Sequence, residues 1–537
     1  MQGWAERLGL KTDPAIFFVS AGLTAVFVLL LVVIPEPIGS FFAVTRAWIV
    51  TNLGWFFIIG VNAWLGFLIW AAVSRHGHIK LGPRDSTPDY SNLSWFTMLF
   101  AGGIGTVLMF WGVAEPISHF SNPPLAGVEP FSEQAAKDAI SISVYHLGLH
   151  TWTIFTLPGL AFGYFINRYD LPVRVSSVFY PLLKEGIHGP VGKAIDIASI
   201  LGTLFGVAVS LGLGASQISA GIAALTGLAD DVPLTVAILV VLTAVAVVSI
   251  VAGLDKGVKF LSNLNIGMAV GLMVFVLVTG STLFLLRAIV ETFGLYFYNL
   301  HRLAFWNDML ANINPTNDPW GWQGDWTVFY WAWTVTWSPF IGLFVARISR
   351  GRTIREFVFG VLLAPSLFTL IWFAIFGWQA MAIDGIGLAL REQMGPAAGA
   401  LSQAVGDSVP LAMFAFFENF PLATFVQGIA IIVVAIFFAT SSDSASLVVD
   451  MLCTGEAEPG PVRQRVFWGV AEGTVAVMLI ILAGDLGLTA LQQVITVVGL
   501  PIFCLVFMMI PSIIMGFQIE DIDHVTVGRR PKLHQFE

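Results

Sequence analysis

The chain has 537 residues, 57% of them hydrophobic and only 11% charged, with a formal net charge of −9. A soluble globular chain carries about 25% charged residues, so this one has too little polar surface to live in water and reads as a polytopic membrane protein. No basic block points to nucleic acid and no low-complexity tail points to disorder.

The first apolar run, AIFFVSAGLTAVFVLLLVVI (15–34), is longer than a signal-peptide core and is followed by no small-residue cleavage site. It predicts a spanning helix that is kept. Further runs follow at 48–73, 94–114, 140–166, 195–228, 232–252, 266–286, 327–346, 357–383, 422–449, 466–483 and 488–517. Each approaches or exceeds the roughly 20 residues a spanning helix needs, so the expectation is an all-α integral membrane fold of about 12 transmembrane helices. The two cysteines, Cys453 and Cys504, lie in or beside apolar runs and read as small apolar residues.

Lysine and arginine set the orientation. The loops after spans 2, 4, 6, 8 and 10, together with both tails, carry 20 of the 25 basic residues; only Arg46, Lys137, Arg287, Arg302 and Arg391 fall on the other side. Both termini are therefore expected on the cytoplasmic side of the membrane. The expected division is a tail at 1–14, two extra spans and a loop at 15–93, a first five-helix unit at 94–287, an extracytoplasmic segment at 288–325, a second five-helix unit at 326–517 and a tail at 518–537. The segment LYFYNLHRLAFWNDMLANI, within 288–325, is amphipathic and aromatic and predicts a helix along the outer interface.

Span 3 opens FAGGIGTVLMFWGVAEP (100–116), with Gly102, Gly103 and Gly105 at its start. Each glycine weakens a helix by about 1 kcal/mol relative to alanine. Two readings compete: close helix packing of the small-xxx-small kind, or a helix built to unwind. Span 8, WTVFYWAWTVTWSPFIGLF (326–344), is expected to be interrupted at Ser338-Pro339, because proline removes a backbone bond and clashes with the preceding turn. Interrupted spans at matching places in two halves point to a transporter binding site. Four spans follow span 3 before span 8, and four follow span 8. An odd number of helices per unit makes the two units inverted, and the unwinding reading is preferred.

Four segments carry a family resemblance: FAGGIG…GVAEP, GTLFGVAVSLGLGASQISAG (202–221), FYWAWTVTWSPFIGLFVARISRGRTIREF (329–357) and FFATSSDSASLVVD (437–450). Together, and in order, they resemble the betaine/choline/carnitine transporter family from about residue 15 to about 517. The resemblance implies two inverted five-helix repeats, as in the neurotransmitter:sodium symporter fold, after two extra N-terminal helices. It also implies alternating-access transport of a small zwitterion or quaternary amine such as glycine betaine, choline or carnitine, no enzymatic activity, and a homotrimer. Family members that sense osmolality carry long charged tails; the short tails here suggest a constitutive importer.

Aromatic faces bind quaternary ammonium by cation–π attraction, worth roughly 0.5–2 kcal/mol per ring. The family builds such a box from spans 4 and 8. Its W-A-W-W-x-x-W-S-P pattern implies roles for Trp333 and Trp337 here, with Thr334 in place of a tryptophan. In span 4, Leu147 and Phe155 stand where the family has tryptophan and tyrosine. Gly103 and Gly105 match the first two glycines of the family's G-M-G-I-G, while Val107 replaces the third. A smaller box with a hydroxyl wall suits a sulfonate or sulfonium zwitterion, or betaine in a rearranged box.

For the coupling ion, the resemblance implies sodium held by backbone carbonyls of Ala101, Ile104 and Phe437 and hydroxyls of Thr440 and Ser441. A second family sodium site retains Thr203 and Phe340 but has Val207, which offers no ligand. The alternative is proton coupling or exchange, with Glu115 and Asp443 as ionisable candidates. His146 and His150 are four apart but have no carboxylate or cysteine close in sequence, so no metal cofactor is expected there. A channel is the rival class; it needs a continuous polar pore that these spans do not supply. No HExxH, GxSxG or paired intramembrane carboxylates suggest an enzyme.

Overall fold

A computed structural model describes residues 2–101, 105–252, 255–310, 321–484 and 488–526. Among the described residues every regular element is a helix, apart from one isolated bridge between Lys80 and Thr353. The principal helices are α1 (Pro14–Val33), α2 (Pro35–Val73), α3 (Asn92–Ala101), α4 (Gly105–Ser121), α5 (Glu133–Leu147), α6 (Leu149–Phe162), α7 (Pro190–Thr226), α8 (Val232–Ala252), α9 (Asp255–Thr279) and α10 (Thr282–Ala304). They continue with α11 (Phe329–Ile348), α12 (Ile354–Asp384), α13 (Ala423–Thr454), α14 (Val462–Ala483) and α15 (Leu488–Thr526).

Local chemistry starts these helices where the sequence signals them. Asp13 caps α1, its Oδ1 accepting from the Ala15 and Ile16 amides at 2.9 and 3.3 Å, and Pro14 occupies the first turn. Thr353 and Glu356 form a reciprocal capping box at the start of α12. Gly227 ends α7 in the left-handed region at φ +74°.

Among the described residues, eleven helices are long and apolar enough to cross a membrane. Ten of them correspond to spans read from the sequence. The eleventh is α10, which begins just after Gly280–Ser281 and buries a stripe of Leu285, Ala288, Thr292, Tyr296, Asn299 and Leu303. That spacing gives one inward face on a helix whose other faces carry Arg287, Glu291 and His301. The expected segment 288–325 also includes 311–320, which lie outside the described residues.

The two remaining spans are each described in two parts. Span 3 is described as α3 and α4, and residues 102–104 between them lie outside the described residues. Span 4 divides at Gly148 (φ −98°, ψ −125°) into α5 and α6, a division the sequence reading did not anticipate. A side chain at Gly148 would meet the Val144 carbonyl at 2.5 Å.

The expected interruption of span 8 is corrected. α11 runs unbroken from Phe329 to Ile348 with Pro339 inside it, and its irregularity lies earlier, in the π-helical turn Gly324–Val328. A proline is tolerated in a buried membrane helix where neighbours enclose the loosened backbone, and α11 is the most enclosed of the eleven long helices. Glycines let its neighbours come close. A methyl at Gly342 would sit 2.9 Å from Pro158 of α6, one at Gly206 of α7 2.3 Å from Thr336 Oγ1, and one at Gly499 of α15 2.6 Å from the Ala332 carbonyl.

The basic loops are tied down as well. The Leu81 amide donates to the Arg352 carbonyl at 2.8 Å and the Ile354 amide to the Ile79 carbonyl at 2.8 Å. The Arg352 guanidinium lies 4.0 Å from the Trp95 ring centroid. Cys453 is buried and Cys504 faces outward.

Candidate functional site

The division at Gly148 and the enclosed α11 create one small buried chamber. Its walls are Val107 of α4, Leu147 of α5, Thr151 and Phe155 of α6, and Trp333, Thr334 and Trp337 of α11, around about 30 Å³. Five of the seven expected substrate residues therefore meet: Leu147, Phe155, Trp333, Thr334 and Trp337, all at most 8% exposed. The chamber has room for a water molecule or two, so these walls must separate to admit an organic solute.

Each ring is held in a defined way. Trp333 stacks on Phe329 (5.5 Å between centroids, 14°) and donates from Nε1 to Ser210 Oγ of α7 at 3.0 Å. Ser210 in turn donates to the Gly206 carbonyl at 3.0 Å. Trp337 packs on Phe340 at 5.8 Å, and its buried Nε1 has no acceptor among the described residues. A donor left this way inside a protein is costly unless something accepts from it; a solute carboxylate or sulfonate has that chemistry.

Thr151, Ser210 and the Gly148 division were not singled out from the sequence. Gly148 inside the apolar HLGLH stretch was the available signal for the division. Thr151 reaches the chamber because that division turns α6, and its hydroxyl donates to the His146 carbonyl at 2.5 Å. Ser210 lies far from span 8 in sequence, so only packing brings it to Trp333.

The expected ion residues gather differently. Gly105 does not line the aromatic chamber. It lies against Phe437 of α13, whose Cζ would be 1.9 Å from a methyl at position 105. The two share an apolar cavity of about 210 Å³ with Leu108, Ile266, Ala269, Val270, Phe368 and Trp372. Thr440, one turn past Phe437, donates to the Ile436 carbonyl at 2.9 Å and approaches the Phe437 carbonyl at 3.2 Å. The lone pairs of the Thr440 hydroxyl are left to accept or to coordinate. Ser441 follows it, half-buried. Ala101 ends α3, while Gly103 and Ile104 lie outside the described residues. At the second candidate ion position, the buried Thr203 Oγ1 has no hydrogen-bond partner among the described residues.

The two histidines of span 4 have separate partners. His150 Nε2 is 3.2 Å from Asn62 Oδ1. His146 Nδ1 is 2.6 Å from Glu115 Oε1, so the fold supplies a carboxylate that the neighbouring sequence lacks.

Comparison with known proteins agrees with this geometry. A family model described as betaine/carnitine/choline family transporter matches residues 15–521. The chain belongs to the betaine/carnitine/choline transporter family. It is 45% identical over 534 residues to an ectoine/glycine betaine/proline transporter of Corynebacterium glutamicum, covering 99% of this chain and 84% of that protein. It is 38% identical to a probable glycine betaine transporter of Desulfitobacterium hafniense, over 95% of this chain and 98% of that one. It is 35% identical to the high-affinity choline transport protein of Escherichia coli K12, over 97% and 74%. This is a family of multi-pass membrane transporters, not of enzymes.

Proposed function

We propose that the chain is a secondary active importer of a small zwitterion or quaternary-amine-type solute, working by alternating access and driven by sodium symport. The observation that carries this reading is the convergence of Trp333, Trp337, Phe155, Thr334 and Leu147 on one buried chamber between α5, α6 and α11. The tryptophan and phenylalanine faces suit a cationic head group, the free Trp337 Nε1 an anionic tail, and Thr334 a hydrogen-bonding substituent. Relatives named for ectoine, glycine betaine, proline and choline support solutes of this class.

Sodium is favoured by the oxygen set at Thr440, Ser441 and the Phe437 carbonyl, which suits a hard cation, and by the contact of Phe437 with the start of α4. Residues 94–287 and 326–517 are read as inverted repeats, with both termini cytoplasmic in a bacterial inner membrane and the chain as a homotrimer. A second reading, proton-coupled or exchange transport of a sulfonate or sulfonium zwitterion, draws on the smaller, hydroxyl-bearing chamber.

A thermal-shift screen of the purified protein against betaine, choline, carnitine, ectoine, proline, taurine and dimethylsulfoniopropionate, with and without sodium, tests the substrate class. Stabilisation by at least one solute that is lost in Trp337→Ala is expected. Uptake that continues unchanged when potassium replaces sodium overturns sodium coupling. Betaine uptake abolished by Trp337→Ala but untouched by Thr334→Ala counts against a non-betaine substrate.

A further inference from the structure

One buried cluster of ionisable groups stands beside the chamber without being part of it. Glu115 and His119, one turn apart on α4, and His146 near the end of α5 are all at most 1% exposed. Glu115 Oε1 lies 2.6 Å from His146 Nδ1, and Glu115 Oε2 accepts from the Tyr330 hydroxyl of α11 at 2.7 Å. His146 Nε2 is 2.9 Å from Thr327 Oγ1. His119 Nε2 stands 3.4 Å from Glu115 Oε1. Indoles close over the group. Trp322 stacks on His146 at 5.8 Å, Trp326 meets His119 at 4.4 Å, and Trp111 meets Tyr330 at 5.6 Å.

Among the described residues, Arg46 of α2 meets the π-helical turn that carries Trp326 and Thr327, but it is paired there with Asp325. α12 meets α4 through Trp372 and Gly377, and α7 through Gln217, which donates to the Met109 carbonyl. On α5, Asp138 is paired with Arg302, and Glu133 is exposed while Lys137 is half-buried. His150 of α6 is engaged with Asn62. The short helices Ala400–Asp407 and Ala412–Phe417 pack on α4, but Asp407 and the neighbouring Glu418 are exposed.

With Glu115 ionised and both histidines neutral, the cluster carries a net negative charge, and none of its hydrogen-bond partners among the described residues is a lysine or arginine. Buried charge of that kind is strongly unfavourable. One added proton, on Glu115 or shared with His146, removes it. The ligand atoms of Glu115, His119 and His146 lie within 4.8 Å of one another. However, both Glu115 oxygens and His146 Nδ1 are spent on hydrogen bonds, which describes a proton-sharing unit rather than a metal cage.

We propose that Glu115, His146 and Tyr330 form a proton-binding site, separate from the expected sodium ligands, whose occupancy holds the substrate chamber closed. This rests on the transporter reading for its consequence but not for its chemistry. The link to the chamber is direct. His146 precedes Leu147, a chamber wall, at the Gly148 division. Tyr330 lies one turn before Thr334 and stacks on Trp333 (6.4 Å, 30°). Opening the walls admits water, which hydrates the carboxylate and takes the proton; closing the walls requires the proton back.

Two measurements test this on the full-length protein. In the first, tryptophan fluorescence is titrated between about pH 5.5 and about pH 8.5 without any solute, since a change of charge in the cluster beside Trp322 alters its emission. The difference between wild type and Trp322→Phe isolates that signal. A titration is expected in wild type, absent in Glu115→Gln and displaced along the pH axis in Tyr330→Phe. In the second, proteoliposome uptake of glycine betaine is followed at a fixed sodium gradient over the same range. Wild-type uptake is expected to change about tenfold, and that of Glu115→Gln by less than about twofold. A Glu115→Gln titration or uptake profile that matches wild type overturns the proposal. If Glu115→Gln does not fold, an unshifted titration in Tyr330→Phe overturns it equally. Wild-type protein that titrates but takes up none of the solutes of the thermal-shift screen sinks the transport reading while leaving the proton site standing.

Discussion

Phe437 of α13 rests directly on Gly105 of α4, so closely that a single methyl at position 105 would fall 1.9 Å from its ring. This contact joins the start of α4 to the turn of α13 that carries Thr440 and Ser441. It also places Gly105 away from the aromatic chamber, so the glycine serves the close approach of α4 to α13. Gly105→Ala is expected to destabilise the protein by about 1–3 kcal/mol through overpacking. Gly105→Ala/Phe437→Leu should recover part of that loss. Thermal unfolding of the four proteins of this cycle in detergent checks it, and strictly additive losses would show that the contact is not the cause.

Ser210 positions Trp333 by accepting its indole hydrogen bond at 3.0 Å. Ser210→Ala leaves that buried donor unpaired at a cost of about 1 kcal/mol, and the half-saturation concentration for solute should rise about fivefold. Ser210→Thr, which keeps a hydroxyl, should recover affinity if the methyl fits. Titration of solute-induced thermal shift is the measurement.

Thr440→Val removes the hydroxyl and keeps the shape. The sodium half-saturation of uptake should rise about tenfold, equivalent to about 1.4 kcal/mol, with folding little changed because the helix keeps its backbone bonds. A sodium response identical to wild type would mean that Thr440 serves only its own helix through Ile436.

Asp13 lies just outside α1, where burial pushes its carboxyl up but Lys193, the Ile16 amide and Arg174 outweigh this and hold it below the ordinary carboxylate value. A lowered folded-state pKa contributes stability above the unfolded value, near pH 4, and loses it as pH falls through the folded value. Asp13→Ala should cost about 1 kcal/mol at neutral pH through the lost cap. The gap to wild type should narrow as pH falls below about 4, measured by thermal unfolding against pH.

Much of this architecture was legible in the residues. Apolar runs of bilayer length mark helices wherever they occur, because a bilayer leaves few other solutions for the backbone. Trp333 and Trp337 share a helix face by their spacing alone. The interruption expected at Ser338-Pro339 was not found, because a proline's local effect is overridden when α6, α7 and α15 enclose the helix. The division at Gly148 was missed because a single glycine in an apolar run signals packing and unwinding alike.

The sequence by itself determined that the chain is a helical membrane protein and which tryptophans share a helix face. Those properties are local, set by transfer energies and helical periodicity. The tertiary structure decided that Leu147, Phe155 and Thr334 enclose one chamber, that Gly105 serves Phe437, that Ser210 holds Trp333, and that Glu115 finds His146 and Tyr330. These pairings join helices far apart in the chain. They depend on which glycines let which backbones approach, and that is fixed only when the whole bundle packs.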